Sequence, residues 1–402
     1  MDIHDSLHLP CGAVLKNRLA KAAMTERFTN GDLKPNKKHY NLYENWSKQG
    51  SGLLITGNVM LERSHLESAG NVVMKEAFLP ELKKWAKAAT SGGNHCWTQI
   101  SHSGRQTSIF NNLRPSSASN VKLKKLGFFA KPRALEVNEI QELIDKYASA
   151  AELSKRAGFT GVQIHAAHGY LISQFLSPIT NKRTDEWGGS LENRTRFLFE
   201  IVKVTRGKVG FQFPIGVKLN SSDFQKGGFS EEESLWVIQQ LEKLGVDLLE
   251  ISGGTYENAE FLLAENIRQS TKQREAYFLD FAEKVRKESA IPLMVTGGIR
   301  SLKFCNEALN ENLLDVVGMA RPYLLYDDFA SRFLAGELTP DAFSVRTGIK
   351  AFEDMAEAGF YNLQLDRLGT GKKIDKSYTP VRSAFHLIKH EFVKALANKF
   401  AG

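Results

Sequence analysis

The feature of this sequence that most constrains its fold is a regular alternation between short apolar segments and longer amphipathic ones. Eight short segments predict strands: Arg18–Ala23, Gly52–Thr56, Cys96–Ile100, Gly161–His165, Ile215–Leu219, Leu248–Ser252, Leu293–Thr296 and Asp315–Met319. Between them, apolar residues recur three or four positions apart, which predicts helices over Val137–Ala157, Leu191–Val204 and Glu231–Leu244. Strands that each precede a helix in this way predict an α/β fold, the (β/α)8 TIM barrel.

A doubly wound parallel sheet is the alternative fold, because it also alternates strands with helices. Its dinucleotide-binding members carry a Gly-x-Gly-x-x-Gly turn after the first strand, and this chain has no such turn there or elsewhere. We therefore expect a single barrel domain over residues 1–340, with loop insertions such as residues 105–133. Residues 341–402 are expected to form a C-terminal extension that packs on the barrel.

The charge of the chain is positive but evenly spread. The 53 lysines and arginines exceed the 45 aspartates and glutamates by 8. No run reaches the five or six like charges of a nucleic-acid-binding tail, and the densest group, Lys122–Lys125, is expected to be a solvated loop. An anionic ligand accounts for the excess equally well, so no nucleic-acid partner is predicted.

The three cysteines, Cys11, Cys96 and Cys305, lie far apart in the sequence. Their number excludes a four-cysteine zinc or iron–sulfur site held by this chain alone, and their use suits a reducing compartment. The polar, acidic start lacks the features of a signal peptide, and no apolar run is long enough to span a membrane. We therefore expect a cytoplasmic protein with no membrane partner.

Three polar ring side chains follow the predicted fourth strand. His165 and His168 are three residues apart, and Tyr170 comes two residues later. Barrel active sites form at the carboxyl ends of the strands, where imidazoles can bind a carbonyl oxygen and a tyrosine can act as a general acid. Ordinary polar packing at a strand end is the alternative. A metal pair is not predicted, because no carboxylate or cysteine follows at a clear ligand spacing.

The segment that begins at His165 also resembles a known family. It reads HAAHGYLISQFLSPITNKRTDEWGGSLENRTRF and is similar to the signature of the Old Yellow Enzyme family. Agreement extends from Asn17 to about Phe333. The resemblance implies a (β/α)8 barrel with FMN as the cofactor and NADH or NADPH as the co-substrate.

The resemblance also implies which residues contact the flavin. Most of them end or follow barrel strands: Ala23, Met24, Thr25, Gly57, Gln99, His165, Lys218, Gly297, Gly298, Ala320 and Arg321. Met24 would pack on the ring, Gln99 would bind its pyrimidine edge, and Gly57 would let the ring approach the backbone. Threonine at position 25 agrees with one subgroup, since other members have cysteine there. Lysine at position 218 departs from the arginine of many members and puts fine tuning of the flavin in doubt.

The ends of the seventh and eighth strands predict the phosphate site. Gly297 and Gly298 offer backbone N–H groups without side-chain obstruction, and Arg321 adds a cation. Phosphate binding after these two strands is common in such barrels. FMN is expected rather than FAD, because no second nucleotide-binding element is visible.

Together these features predict an FMN-dependent NAD(P)H oxidoreductase, an ene-reductase. His165 and His168 would polarise an activated alkene such as an enone, a nitroalkene or a quinone, and Tyr170 would supply the proton. An oxidase that uses dioxygen and a non-enzymatic FMN carrier are the alternatives. The loops at residues 105–133 and 253–268 are expected to shape the substrate pocket, and a homo-oligomer is compatible with the sequence.

Overall fold

The computed structural model describes residues 1–123, 128–253, 278–341 and 343–400, and its centre is a closed ring of parallel strands. The ring consists of β1 (Leu19–Lys21), β2 (Leu53–Met60), β3 (His95–Ser101), β4 (Gly161–Ala166), β5 (Ile215–Asn220), β6 (Leu248–Ser252), β7 (Leu293–Thr296) and β8 (Val316–Met319). Each strand pairs with its neighbours, and β8 pairs with β1, which closes the barrel. The predicted (β/α)8 TIM barrel is therefore confirmed.

The second strand runs well beyond its predicted end, whereas three others are longer than predicted by only one or two residues. We expected the second strand to end at Thr56, but β2 continues to Met60, and its register against β3 shifts between Ile55 and Asn58. Such an irregularity is a bulge, which lets a strand continue past a residue that leaves the ladder. A glycine, Gly57, stands inside this bulge.

Eight helices in the described part of the chain pack around the barrel. They are α1 (Lys37–Ser47), α2 (Leu79–Ala89), α3 (Val137–Ala157), α4 (Leu171–Leu176), α5 (Leu191–Val209), α6 (Glu231–Lys243), α7 (Leu279–Glu288) and α8 (Leu302–Asn310). The predicted helix over Val137–Ala157 has these bounds in the structure. A capping box begins α6, since the side chains of Ser230 and Glu233 each accept the backbone N–H of the other residue.

The lower half of the barrel is filled by one tryptophan and its apolar neighbours. Trp97 on β3 is fully buried beside Leu53 and Met294. The structure explains two glycines in the facing strands, because a Cβ at Gly161 would lie 2.5 Å from the Trp97 ring and one at Gly216 would lie 2.9 Å from it. The bottom is closed by a short antiparallel pair, Leu7–His8 with Val14–Leu15.

The C-terminal part of the chain folds onto the barrel through α9 (Phe329–Leu334), α10 (Lys350–Gly369) and α11 (Pro380–Phe400). Helices α10 and α11 pack against each other, and α10 also packs on α1, where Lys38 pairs with Asp366 at 2.7 Å. None of the described helices is long and apolar enough to span a membrane. The boundary that we expect at residue 340 stays a prediction.

Candidate active site

A cavity of about 410 Å³ lies at the carboxyl ends of the barrel strands. One side is formed by strand ends and the residues that follow them, including Ala23, Lys218 and residues 296–300 and 318–322. The opposite side is formed by residues 340, 341 and 343–346 and by α10. This volume lies in the range of small-molecule and cofactor sites, so the cavity is the candidate active site.

The turn after β4 brings the three predicted ring side chains together. The ring centroids of His165 and Tyr170 are 4.8 Å apart, and those of His165 and His168 are 5.1 Å apart. His168 and Gly169 both have positive φ, at 59° and 74°, which reverses the chain tightly before α4 begins. Because of this reversal, residues from a strand end and from the following loop share one small volume. His168 lines the cavity, and His165 and Tyr170 are buried beside it.

Both histidines of this cluster are held neutral. Burial lowers the pKa of His165 well below its usual value, and the neighbouring His168 and Lys218 lower it further. Burial, with Lys218 nearby, lowers the pKa of His168 to about 3. His165 Nδ1 accepts the backbone N–H of Ala167 at 3.2 Å, so its Nε2 carries the ring proton and can donate a hydrogen bond. His168 Nε2 lies 2.6 Å from the hydroxyl of Ser252.

A chain of polar side chains crosses the barrel below this cluster. Gln99 donates to Gln163 at 2.7 Å, Gln163 donates to Glu250 at 2.8 Å, and the Lys218 ammonium lies 2.9 Å from the other Glu250 oxygen. We predicted roles for Gln99 and Lys218 but not for Gln163 or Glu250. Glu250 is fully buried, and its negative charge balances the positive charge of Lys218, which the sequence alone would leave without a partner. The sequence signal that could have identified Glu250 is its position as a carboxylate within an otherwise apolar strand, because a buried charge needs a partner.

The loop after β1 is tied to the bulge in β2. Gly57 donates its N–H to Glu26 at 2.8 Å, and Thr25 donates its hydroxyl to Asn58 at 3.2 Å. A Cβ at Gly57 would lie 2.3 Å from both a Glu26 oxygen and the carbonyl oxygen of Met24. The missing side chain is therefore required by contact with the Met24–Glu26 loop. A close approach of a ligand ring to Gly57, which we also predicted, is not needed to explain the glycine and stays a prediction.

The far end of the cavity fits a phosphate group. Gly297 and Gly298 have positive φ, at 122° and 80°, and form an open turn after β7. The buried hydroxyl of Thr296 beside them finds no hydrogen-bond partner among the described residues. Arg321 follows β8 and also lines the cavity. Unobstructed backbone N–H groups, a hydroxyl and a guanidinium are the donors that phosphate binding requires.

The C-terminal extension forms one wall of the site, which the sequence pattern did not predict. Glu357 on α10 lies 3.1 Å from a guanidinium nitrogen of Arg321, so the predicted phosphate ligand already has a carboxylate partner. Burial raises the pKa of Glu357. Glu353 and Tyr361 of the same helix also line the cavity. The extension therefore takes part in the site.

A second polar cluster, Glu62 with His65 and His102, lies close enough together to suggest a cation site. His65 Nε2 accepts the backbone N–H of Ser116 at 2.9 Å, and His102 Nδ1 accepts that of Gly104 at 3.1 Å. The ring nitrogens that face Glu62 must then carry the protons, so they donate to its carboxylate and offer no lone pair to a cation. Although burial would raise the pKa of Glu62, these hydrogen bonds and Lys146 lower it.

Two predicted loop features lie partly outside the described residues. The segment 105–133 is described except for residues 124–127, which include part of the predicted lysine loop. In the described part, the buried Arg105 donates to the carbonyl of Val121 at 3.4 Å. The predicted pocket loop at residues 253–268 lies outside the described residues after Gly253.

Comparison with known sequences places this geometry in context. The chain matches the NADH:flavin oxidoreductase / NADH oxidase family over residues 11–338. It is 36% identical over 350 residues to the NADH-dependent flavin oxidoreductase iliE of Hypocrea jecorina, and the aligned region covers 80% of this chain and 86% of that protein. It is also 33% identical over 315 residues to the NADH oxidase of Thermoanaerobacter brockii, covering 77% of this chain but 47% of that longer protein.

Solved structures agree with this match. A 2-naphthoyl-CoA reductase in complex with 2-naphthoyl-CoA superposes with a TM-score of 0.77 at 27% identity, covering 83% of this chain and 52% of that one. An old yellow enzyme homologue from Zymomonas mobilis superposes with a TM-score of 0.71 at 22% identity, covering 85% and 95%. At that identity the second similarity concerns the fold alone.

Proposed function

The chain belongs to the NADH:flavin oxidoreductase / NADH oxidase family, and from this premise we propose that it is an ene-reductase that reduces activated C=C bonds. Its general activity follows from its family: it is an FMN-dependent NAD(P)H oxidoreductase. The observation that supports the ene-reductase proposal is the packing of His165, His168 and Tyr170 at the mouth of the barrel. Proton donors gathered at the rim of a cofactor-sized cavity suit the reduction of an alkene bearing a polar oxygen.

The two histidines are proposed to bind the carbonyl or nitro oxygen of the acceptor. Their lowered pKa values keep both rings neutral, so they donate N–H hydrogen bonds without adding full positive charges to a buried site. The tautomer of His165, fixed by the backbone N–H of Ala167, aims a protonated Nε2 away from its own main chain. Hydrogen bonds to that oxygen withdraw electrons from the C=C bond and prepare its β-carbon for hydride.

Tyr170 is proposed to protonate the α-carbon. Its ring packs edge-on against His165, and it is 5% exposed, so its hydroxyl is shielded from bulk water. A positioned side-chain acid of this kind typically contributes about 10²–10⁴-fold to a rate. The proton would pass from the phenol oxygen to carbon, and solvent would later restore it.

FMN fits the residues present and, when bound, supplies the hydride chemistry. We propose that the Gly297–Gly298 turn, the Thr296 hydroxyl and Arg321 hold its phosphate. Toward its ring, Met24, Thr25, Gln99 and Lys218 remain the proposed contacts, with Lys218 acting as half of an ion pair with Glu250. Ala23 and Ala320, which both line the cavity, also remain proposed contacts, as do Gly57 and His165.

Dioxygen is the second candidate acceptor, because one relative is named an NADH oxidase. An FMN carrier without catalysis is disfavoured, since the His–His–Tyr cluster would then have no role. The thiols of Cys11, Cys96 and Cys305 are buried and form no disulfide, which supports the expected cytoplasmic location.

Anaerobic stopped-flow spectroscopy tests the proposal. The FMN-loaded protein is reduced with NADH or NADPH, and its reoxidation is then followed with enones, nitroalkenes, quinones and oxygenated buffer. We expect rapid bleaching by a nicotinamide and reoxidation by an activated alkene that is faster than by oxygen. Reoxidation by oxygen alone would replace the proposal with an oxidase, and no bleaching by either nicotinamide would leave a carrier.

A further inference from the structure

Helix α11 exposes an apolar stripe along its outer face. Seven large apolar side chains on this helix are between 39% and 88% exposed: Val381, Phe385, Ile388, Phe392, Val393, Leu396 and Phe400. Most of them follow one another at intervals of three or four residues, which keeps them on one side of a helix. The apolar stripe therefore spans the full length of α11.

The opposite face of α11 is fixed to the rest of the molecule. Its buried residues are small: Ser383, Ala384 and Ala395. The carboxylate of Glu391 accepts hydrogen bonds from the hydroxyl of Ser68 at 2.6 Å and from the N–H of Ala69 at 3.1 Å. These contacts prevent the helix from turning its stripe inward.

The size of the stripe suits a protein interface. At about 150–200 Å² for each fully exposed large side chain, the observed exposures leave on the order of 700 Å² of apolar surface on one helix. A single soluble chain rarely exposes a contiguous apolar patch this large, and a standard interface buries about 800 Å² on each partner. We propose that a second copy of this chain covers the apolar stripe, so that two α11 helices pair about a two-fold axis.

The charges beside the stripe give self-pairing and binding to an anionic lipid surface opposite dependences on salt. Arg382, Lys389 and Lys399 are exposed on α11, and its one carboxylate, Glu391, is turned toward the barrel. In a symmetric pair the basic side chains of both copies come to the same rim and repel each other. Salt screens that repulsion, so dimerisation should tighten as salt rises, whereas attraction to an anionic bilayer should weaken.

Sedimentation equilibrium of the FMN-loaded protein, over a wide range of concentrations and at two salt levels, tests the pairing. We expect a dimer that is tighter at high salt. Replacing two central residues, Phe385→Ser with Phe392→Ser, should raise the dissociation constant by about 30-fold or more. The matched control is Phe211→Ser, since Phe211 is 68% exposed against 67% for Phe385 but lies between α5 and β5. A monomeric wild type, or a double variant as dimeric as the wild type, overturns the proposal.

A second measurement keeps the stripe intact. The three native cysteines are buried, so Lys389→Cys introduces a single accessible thiol for a spin label. We expect dipolar coupling between labels on two copies, and none from the control Lys303→Cys on α8. Flotation with vesicles of phosphatidylcholine and phosphatidylglycerol forms the other arm. Absent coupling at position 389, or vesicle binding by a monomer that weakens with salt, overturns the pairing of two copies.

Discussion

The ion pair between Arg321 and Glu357 makes a prediction about cofactor affinity. Arg321 is the proposed phosphate ligand, but its guanidinium lies 3.1 Å from a Glu357 oxygen. Glu357→Gln removes the negative charge and keeps the shape of the side chain. We expect the apoprotein of this variant to bind FMN more tightly, because Arg321 no longer gives up a carboxylate partner and the phosphate no longer faces one.

The magnitude follows from the exposure of the pair. The Arg321 side chain is 45% exposed, so solvent screens the interaction, and an ion pair of this kind is worth about 0.2–1 kcal/mol. Glu357→Gln should therefore tighten FMN binding by up to about fivefold. Arg321→Ala removes a charge-assisted donor worth about 1.5–3 kcal/mol and should weaken binding by about 10- to 150-fold.

Titration of the apoprotein with FMN, followed by quenching of flavin fluorescence, measures both effects. The matched control is Glu353→Gln, because Glu353 lines the same cavity on α10 but accepts the backbone N–H groups of Thr347 and Gly348, at 2.5 and 2.8 Å, with Arg346 at 3.9 Å. Burial raises the pKa of Glu357, so the wild type should approach the variant as pH falls and the carboxylate takes up a proton. Equal or weaker FMN binding by Glu357→Gln, or unchanged affinity in Arg321→Ala, would refute the phosphate site as proposed.

Four further changes have defined outcomes. His168→Ala should abolish the long-wavelength band that phenols form with the bound flavin while FMN content stays at the wild-type level; a normal phenol titration would contradict its role. Tyr170→Phe should slow enone reduction by about 10²–10⁴-fold with normal flavin reduction by nicotinamide and a smaller loss with nitroalkenes; equal slowing of both half-reactions would exclude Tyr170 as the acid. Glu250→Gln leaves the buried Lys218 ammonium unpaired, so redox titration should show a higher flavin potential, and denaturation should show a loss of about 3–5 kcal/mol; neither change would mean that the pair is unimportant. Burial lowers the pKa of His102 to about 4, so between about pH 6.5 and pH 4 the unfolded chain binds a proton at this residue and the folded protein does not. As pH falls through this range, the free energy of unfolding should therefore decrease by about 1.4 kcal/mol per pH unit. Denaturation of His102→Gln across the same range should lack this contribution.

The barrel could be predicted from the sequence because its strands are buried on both faces. Each strand reads as a short apolar run, and each helix reads as a repeat of three or four, so the order of elements is visible without any contact. The end of β2 was missed because Gly57 and Asn58 look like a turn. They continue the strand only because the Met24–Glu26 loop packs against the glycine, a contact between segments about thirty residues apart.

The site was predictable where its residues are neighbours in sequence. His165, His168 and Tyr170 lie within six positions, so one turn brings them together. Their supporting partners were not predictable, because Glu250 lies 87 positions from Gln163 and meets it only through the closure of the barrel. The same reason hid the pairing of Arg321 with Glu357.

The C-terminal extension shows where reading the pattern of apolar residues fails. In α11 the spacing of Phe385, Ile388 and Phe392 indicates an amphipathic helix, and the usual rule would turn that face toward the barrel. The structure does the opposite, because the contact with α10 is too close for large side chains: a Cβ at Gly359 would lie 1.9 Å from the carbonyl oxygen of Ser383. Small residues therefore define the inner face. Pairing of two copies through the apolar stripe would restore the rule, since the large side chains would then be buried in the dimer.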